Sequence, residues 1–223
     1  MEKIPLSAYD FFGYLFAGVL LLAGVDYACN LHWVIGRQPD LVQSVVWLVI
    51  VYVVGHVNAH WAGWLLEGKC LRWLGRPEQT LFASTKCVIF KHYRAALPEQ
   101  TRTLVLAKYE RLNGAAGNDS ALYLFCYHLV KEQCPQAAAR LQTFLNLYGF
   151  SRNLSFATGL TAVSFFVTGF HAPRPFHWRI TLACLVVSLT LFYRYLKFFR
   201  HFSIEVYASF LTGVKEQREN VPA

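Results

Sequence analysis

The chain has 223 residues, of which 55% are hydrophobic and only 15% charged, and its formal net charge is +8 at pH 7. Soluble domains carry about 25% charged residues, and here the deficit falls in long windows that hold almost no charge. Composition therefore excludes a disordered chain, a disulfide-rich secreted module and an ordinary soluble enzyme, and it points to a multi-pass membrane protein with one small water-facing portion.

A membrane-crossing helix needs about 20 mainly apolar residues, because about 1.5 Å of rise per residue must cover about 30 Å of hydrocarbon. Four segments qualify. The first covers about residues 11–31. Pro5 and Ser7 mark a short lead-in, and Tyr9, Phe11, Phe12 and Tyr14 are placed as headgroup-level aromatics. Glu2 and Asp10 offset Lys3, and no A-x-A pattern follows, so a retained helix is expected rather than a cleaved signal. Asp26 lies near the outer end of this span. Two readings stay open for it: a solvated carboxylate just beyond the hydrocarbon, or a polar group facing a pore or an opposing cation.

The second span covers about residues 41–66 and contains GHVNAHWAGW at 55–64. His56 and His60 stand at i,i+4 on one helical face, with Asn58 on another. Two histidines so spaced can share a metal, but Val57 occupies the place where the HExxH motif requires Glu. The HxxxH spacing is similar to that of membrane di-iron hydroxylases and desaturases, whose further HxxHH clusters are missing here. The pair is therefore a weak metal candidate, and no metal or other cofactor is assigned. Asp26, His56, Asn58 and His60 are the candidate pore-lining or bundle-interior polar residues. Gly13, Gly18 and Gly24 in the first span, with Gly55 and Gly63 in the second, permit close helix approach.

Residues 67–153 read as a helical, basic, cytosolic domain. Apolar residues recur at helical spacing over 78–97, a second helix starts at Pro98, and NGAAGND breaks the chain near Asn113. A third helix carries Leu122, Phe125, Cys126 and Leu129, and a fourth starts near Gln136 and runs toward the third span, with Gly149 permitting a bend. This segment holds 12 basic residues against 6 acidic ones. Lys86, Lys91, His92, Arg94, Arg102, Lys108 and Arg111 are the candidate contacts for a nucleotide, a nucleic acid or another anionic ligand. The bland explanation is the bias of Lys and Arg toward the cytosolic side, which needs no ligand.

The third span covers about residues 154–170 and the fourth about 178–195, joined by HAPRPFHW, whose Pro173 and Pro175 predict a tight external turn. Thr161, Ser164 and Thr168 add hydroxyl groups to the third span. Arg194, Lys197 and Arg200 follow the fourth at helical spacing; with Arg152 they are placed as membrane-interface anchors.

With the N-terminus, residues 67–153 and everything after Leu191 on one side, that side collects 18 of the 21 Lys and Arg residues. Both termini and the central domain are thus predicted to be cytoplasmic. Cys70, Cys87, Cys126 and Cys134 fall on that reducing side and no CxxC pair exists, so neither a disulfide nor a cysteine zinc site is expected. The predicted organisation is all-α: residues 1–66 for the lead-in and first two spans, 67–153 for the cytosolic domain, 154–200 for the last two spans, and 201–223 for a C-terminal helix and tail.

The opening KIPLSAYDFFGYLFAG and the later YGFSRNLSFA resemble segments of small bacterial membrane proteins. The layout of two spans, a basic helical insert and two more spans is similar to that of membrane components of antiviral defence systems. That resemblance carries no site residues with it. It implies either an oligomeric membrane effector, a gated pore controlled by a cytosolic signal, or a membrane-anchored sensor or scaffold that recruits a soluble, nucleic-acid-acting protein partner. A histidine-dependent membrane enzyme is the third alternative. The gated effector, non-enzymatic, lipid-embedded and homo-oligomeric, is preferred, because a small chain of four spans encloses a path by pooling helices and a scaffold needs only one span.

Overall fold

A computed structural model describes residues 8–33, 40–82, 93, 95–113, 119–171 and 175–215. Every regular element among them is helical, as the sequence predicts. The order is α1 (Ala8–Cys29), α2 (Leu41–Ala62), a π-helical segment (Gly63–Cys70), α3 (Leu71–Leu74), α4 (Pro77–Thr80), α5 (Glu99–Asn113), α6 (Asp119–Gln133), α7 (Pro135–His171) and α8 (Pro175–Gly213). Four stretches are long and apolar enough to cross a membrane: Phe11–Cys29, Leu41–Thr80, Pro135–His171 and Phe176–Gly213.

The chain divides into two compact units. Unit 1 comprises Met1–Arg72 and Asn146–Leu196; unit 2 comprises Trp73–Leu145 and Lys197–Ala223. Helices α7 and α8 therefore contribute residues to both.

In unit 1, α1 and α2 cross with their backbones in contact. A Cβ at Gly18 would meet the carbonyl oxygen of Val51, and a Cβ at Gly55 would meet that of Tyr14. The two glycines are thus reciprocal, each making room for the other helix. Phe11 packs on Tyr52 with tilted rings whose centroids are 5.2 Å apart, and Tyr14 lies over His56 at 4.0 Å. Asp40 caps α2, its side chain accepting the Gln43 amide at 2.7 Å. α7 packs on α1 through Phe150 against Phe16 and Gly13. The outward faces are apolar: Val42, Val45, Val46, Val49, Val53 and Val57 on α2, and Leu182, Leu185, Val186 and Leu189 on α8, are exposed.

Unit 2 has a core of its own. Leu81, Phe82, Val105, Tyr109, Leu122, Cys126 and Val130 pack with Phe202, Val206, Tyr207 and Phe210 from the end of α8. The aromatic members meet edge to face, as in Tyr109–Phe125 at 5.1 Å and Phe82–Tyr207 at 5.1 Å. Gly75, at φ +85°, ends α3 in the left-handed region that a side chain disfavours. Tyr93 then donates its hydroxyl to the Gly75 carbonyl at 3.1 Å.

The helix expected over 78–97 is corrected at both of its described ends. α4 stops at Thr80, and residues 95–98 form no helix, with the Leu97 amide donating to the Leu81 carbonyl at 2.9 Å. Pro98 supplies the reason, since the residue before a proline is pushed out of the helical region. Residues 83–92 and 94 lie outside the described set, as do 34–39, 114–118 and 172–174, where two loops and a turn were predicted. α7 stays helical through Gly149, the position at which a bend was anticipated.

Candidate functional site

The inward face of α7 is polar over three turns. Ser151, Ser155, Thr158 and Thr161 follow one another at spacings of four, three and three residues, which is one helical stripe, and all four are buried. Ser155 and Ser188 of α8 tie the two helices by a reciprocal pair: the Ser155 hydroxyl donates to the Ser188 carbonyl at 2.9 Å and the Ser188 hydroxyl to the Ser155 carbonyl at 2.8 Å. Thr158 donates back to Leu154 at 2.7 Å, the ordinary behaviour of a helical threonine.

Other members of the interior are not satisfied. Asn58 of α2 donates its amide to the Asn153 carbonyl of α7 at 3.0 Å, yet its own side-chain oxygen is buried with no partner. The same is true of Thr161 Oγ1, Thr181 Oγ1 and His177 Nδ1. These residues are 2%, 3%, 6% and 4% exposed respectively. In native structures most buried polar atoms are paired, so four orphans in one helical unit imply internal water or a polar occupant.

At the end of the stripe nearer Ser151 is an ionic cluster. Glu67, on the π-helical segment, accepts from both the Arg152 guanidinium and the Tyr148 hydroxyl. Arg152 also donates Nε and Nη2 to Asn153 Oδ1 at 3.2 and 3.1 Å. Arg152 thus has a carboxylate partner within unit 1. π-Helical turns are rare and often occur at functional sites; here one presents Glu67 to α7.

The sequence-derived candidates separate on this frame. Asp26 is buried, and its Oδ1 accepts the Trp33 amide at 2.8 Å, closing the turn after α1 where Asn30 and His32 have positive φ. Asn58 is in the interior, whereas His56 and His60 are exposed on the outer surface of α2. His56 stacks on Tyr14 and meets Tyr52 edge to face, and His60 lies beside Trp61. Asn58 is thus separated from the histidine pair, as its placement on another face predicts. Among the described residues no three His, Cys, Asp or Glu side chains group as metal ligands.

In unit 2 the basic set is also divided. Lys86, Lys91, His92 and Arg94 lie outside the described residues. Lys108, expected at the surface, is 7% exposed and donates to the carbonyls of Phe210 at 2.8 Å, Leu211 at 3.1 Å and Val214 at 2.6 Å. It closes the C-terminal end of α8, where the helix dipole is negative, and has no surface left for an anion. Arg102 pairs with Glu99 at 3.3 Å, and Arg111 donates Nε to the Ala107 carbonyl at 3.2 Å. Arg200, expected as an interface anchor, holds the Tyr93 carbonyl at 2.8 Å. Arg194 and Lys197 are exposed. Burial pushes the Cys126 thiol up to about 12 and raises the Tyr123 phenol as well.

Glu67, Tyr148, His177 and Thr181 were not singled out by sequence. The serine–threonine stripe on α7 was readable from its spacing; the Glu67–Arg152 pair, 85 residues apart, was not. No protein-family model, no curated protein and no solved structure matches this chain.

Proposed function

We propose that the chain is a membrane effector whose unit 1 sits in the bilayer and provides a regulated path across it, with unit 2 as the cytosolic controlling element. The observation that carries this reading is the unsatisfied polar interior of unit 1. An inert anchor has no reason to keep Asn58, Thr161, His177 and Thr181 buried with unpaired atoms, because each such group costs free energy that an apolar residue would avoid. A path that admits water supplies the missing partners.

The remaining features fit that role. The apolar outward faces of α2 and α8 suit hydrocarbon, and the excess of Lys and Arg on one side supports a cytoplasmic unit 2 and cytoplasmic termini in a bacterial inner membrane. Because α7 and α8 each contribute to both units, a ligand or protein partner acting on unit 2 reaches unit 1 through covalent chain. Assembly into a homo-oligomer is part of the proposal because four spans enclose a path only by pooling helices, and a place in antiviral defence is what the resemblance of layout implies. The trigger class is an anion, a nucleotide or nucleic acid, met by exposed cations such as Arg111 and by Lys86, Lys91, His92 and Arg94. A scaffold that recruits a soluble partner is the competing reading, and it predicts no flux.

Recording from the purified full chain in a planar bilayer tests the proposal. Currents that change when nucleotide or oligonucleotide is added on the side of unit 2 support it. Silence under all conditions, together with a stably bound soluble partner, refutes it.

A further inference from the structure

We propose that Thr161, His177 and Thr181 form a hydrated proton-transfer site inside unit 1, so that the permeant of the path is the proton. This inference rests on the reading above and adds the substrate class to it.

The register of α7 against α8 brings the three residues together. The Ser155–Ser188 pair fixes the two helices as antiparallel neighbours. Further along, the Phe165 ring lies 5.9 Å from the His177 ring, and a Cβ at Gly169 would sit 3.6 Å from the His177 Cβ. Thr161 is one turn before Phe165 on α7, and Thr181 is one turn after His177 on α8. Antiparallel packing therefore sets the two threonines at one level, a turn away from the imidazole. Helix α1 closes another side: a Cβ at Gly24 would fall 2.7 Å from Thr161 Oγ1.

Each of the three is more than nine-tenths buried, and each has an atom without a protein partner. A hydroxyl both donates and accepts, and a neutral imidazole donates from one nitrogen and accepts at the other. Water bridging them completes a hydrogen-bonded chain. A proton taken up from water at one ring nitrogen of His177 gives the imidazolium, and the proton on the other nitrogen leaves to the next water; the ring ends neutral in its other tautomer, and a flip of the ring returns the free nitrogen to the entry side for the next proton. Among the described residues, the titratable or charged groups nearest in sequence on these helices are Asp26, Tyr27 and Cys29 of α1, His171 of α7, and Arg179 and Cys184 of α8. The imidazole lies 5.9 Å from the Phe165 ring and 5.5 Å from the Phe176 ring, and Tyr27 packs on both of those rings at 6.1 and 5.5 Å. Ala157, Ala162 and Phe165 are buried beside the stripe, and the α1 backbone is in contact with Thr161. An alkali cation entering here would have to shed its water for a few hydroxyls; a proton needs only the chain of hydrogen bonds.

The test uses the full chain in vesicles loaded with a pH-sensitive dye, with a K⁺ diffusion potential set by valinomycin, beside vesicles carrying a K⁺ indicator and no ionophore, all measured with nucleotide or oligonucleotide present on both sides of the membrane. Proton uptake without K⁺ flux is expected. His177→Gln and the double variant Thr161→Val/Thr181→Val should fall to the rate of protein-free vesicles. The double variant should nonetheless keep the wild-type helical signal and a cooperative denaturant transition, because valine preserves the branched shape of threonine. Proton flux unchanged in both variants overturns the inference. K⁺ flux without proton flux overturns it and leaves the proposed function standing, whereas passage of neither ion refutes both. As a second measurement, solid-state NMR of histidine-labelled wild type should show rapid magnetisation transfer from water to the signal that H177Q removes; a dry His177 overturns the site.

Discussion

Replacing Gly55 by alanine probes the most constrained contact in unit 1. The new Cβ would fall on the Tyr14 carbonyl, within 2.6 Å of its carbon and 3.0 Å of the Tyr14 Cα. Carbon atoms rest at about 3.5–4.0 Å, and both neighbours are backbone, so no side chain can swing away. The helices must separate by about 1 Å, which loosens the whole α1–α2 crossing. Overpacking of this kind costs about 1–3 kcal/mol, and the absence of a yielding side chain places it near the top of that range. Alanine's better helix propensity returns about 1 kcal/mol, leaving a net loss of about 2 kcal/mol. Gly149→Ala is the control, because nothing lies within 4 Å of its Cβ; there the propensity gain of about 1 kcal/mol should appear alone. Denaturant titration of the purified chain in mild detergent, followed by tryptophan fluorescence, measures both. Gly18→Ala should resemble Gly55→Ala, and the double variant should lose less than the sum, since the crossing opens once. A G55A protein as stable as the wild type would refute the backbone contact.

Three further outcomes are expected. Lys108→Met keeps the aliphatic stem in the core but strips three carbonyls at the end of α8 of their donor, and unit 2 should lose about 3 kcal/mol, read as faster amide hydrogen exchange in α5 and the last turns of α8. Glu67→Gln, Arg152→Gln and their double variant should give a coupling energy of about 1–2 kcal/mol in a denaturation cycle, a partly buried value because the side chains remain 34% and 17% exposed. Unit 2 should lose stability as pH rises through about 9 toward 12. The folded-state value of Cys126 lies above its ordinary 9.0, so the native thiol keeps its proton where the unfolded one releases it. Cys126→Ala should flatten that part of the stability profile.

Much of the architecture was legible because its four longest apolar helices are written as charge-poor sequence. Charge-poor windows of about 20 residues can be counted directly, and Gly18 and Gly55 already marked a close crossing. The division of α8 was less legible: Phe202, Val206 and Phe210 recur at i,i+4, a core-facing stripe, but the interleaved Lys197 and Arg200 resemble an interfacial anchor. Lys108 was misplaced for a related reason. A charge run predicts solvent until a partner is known, and its partners are backbone carbonyls about 100 residues away. His56 and His60 were correctly paired on one face, yet periodicity does not say which face points inward. Residues 95–98 escaped because apolar spacing outvoted the proline that follows.

Membrane placement of the two units is the claim on which the rest depends, and labelling with a membrane-impermeant maleimide tests it directly. Single-cysteine proteins retaining Cys29, exposed at the end of α1, or Cys134, half-buried in unit 2, are compared in intact cells and after permeabilisation. Cys29 should react from outside in intact cells, and Cys134 only once the membrane is opened. Reaction of Cys134 in intact cells, or recovery of the chain in the soluble fraction without detergent, would contradict the account.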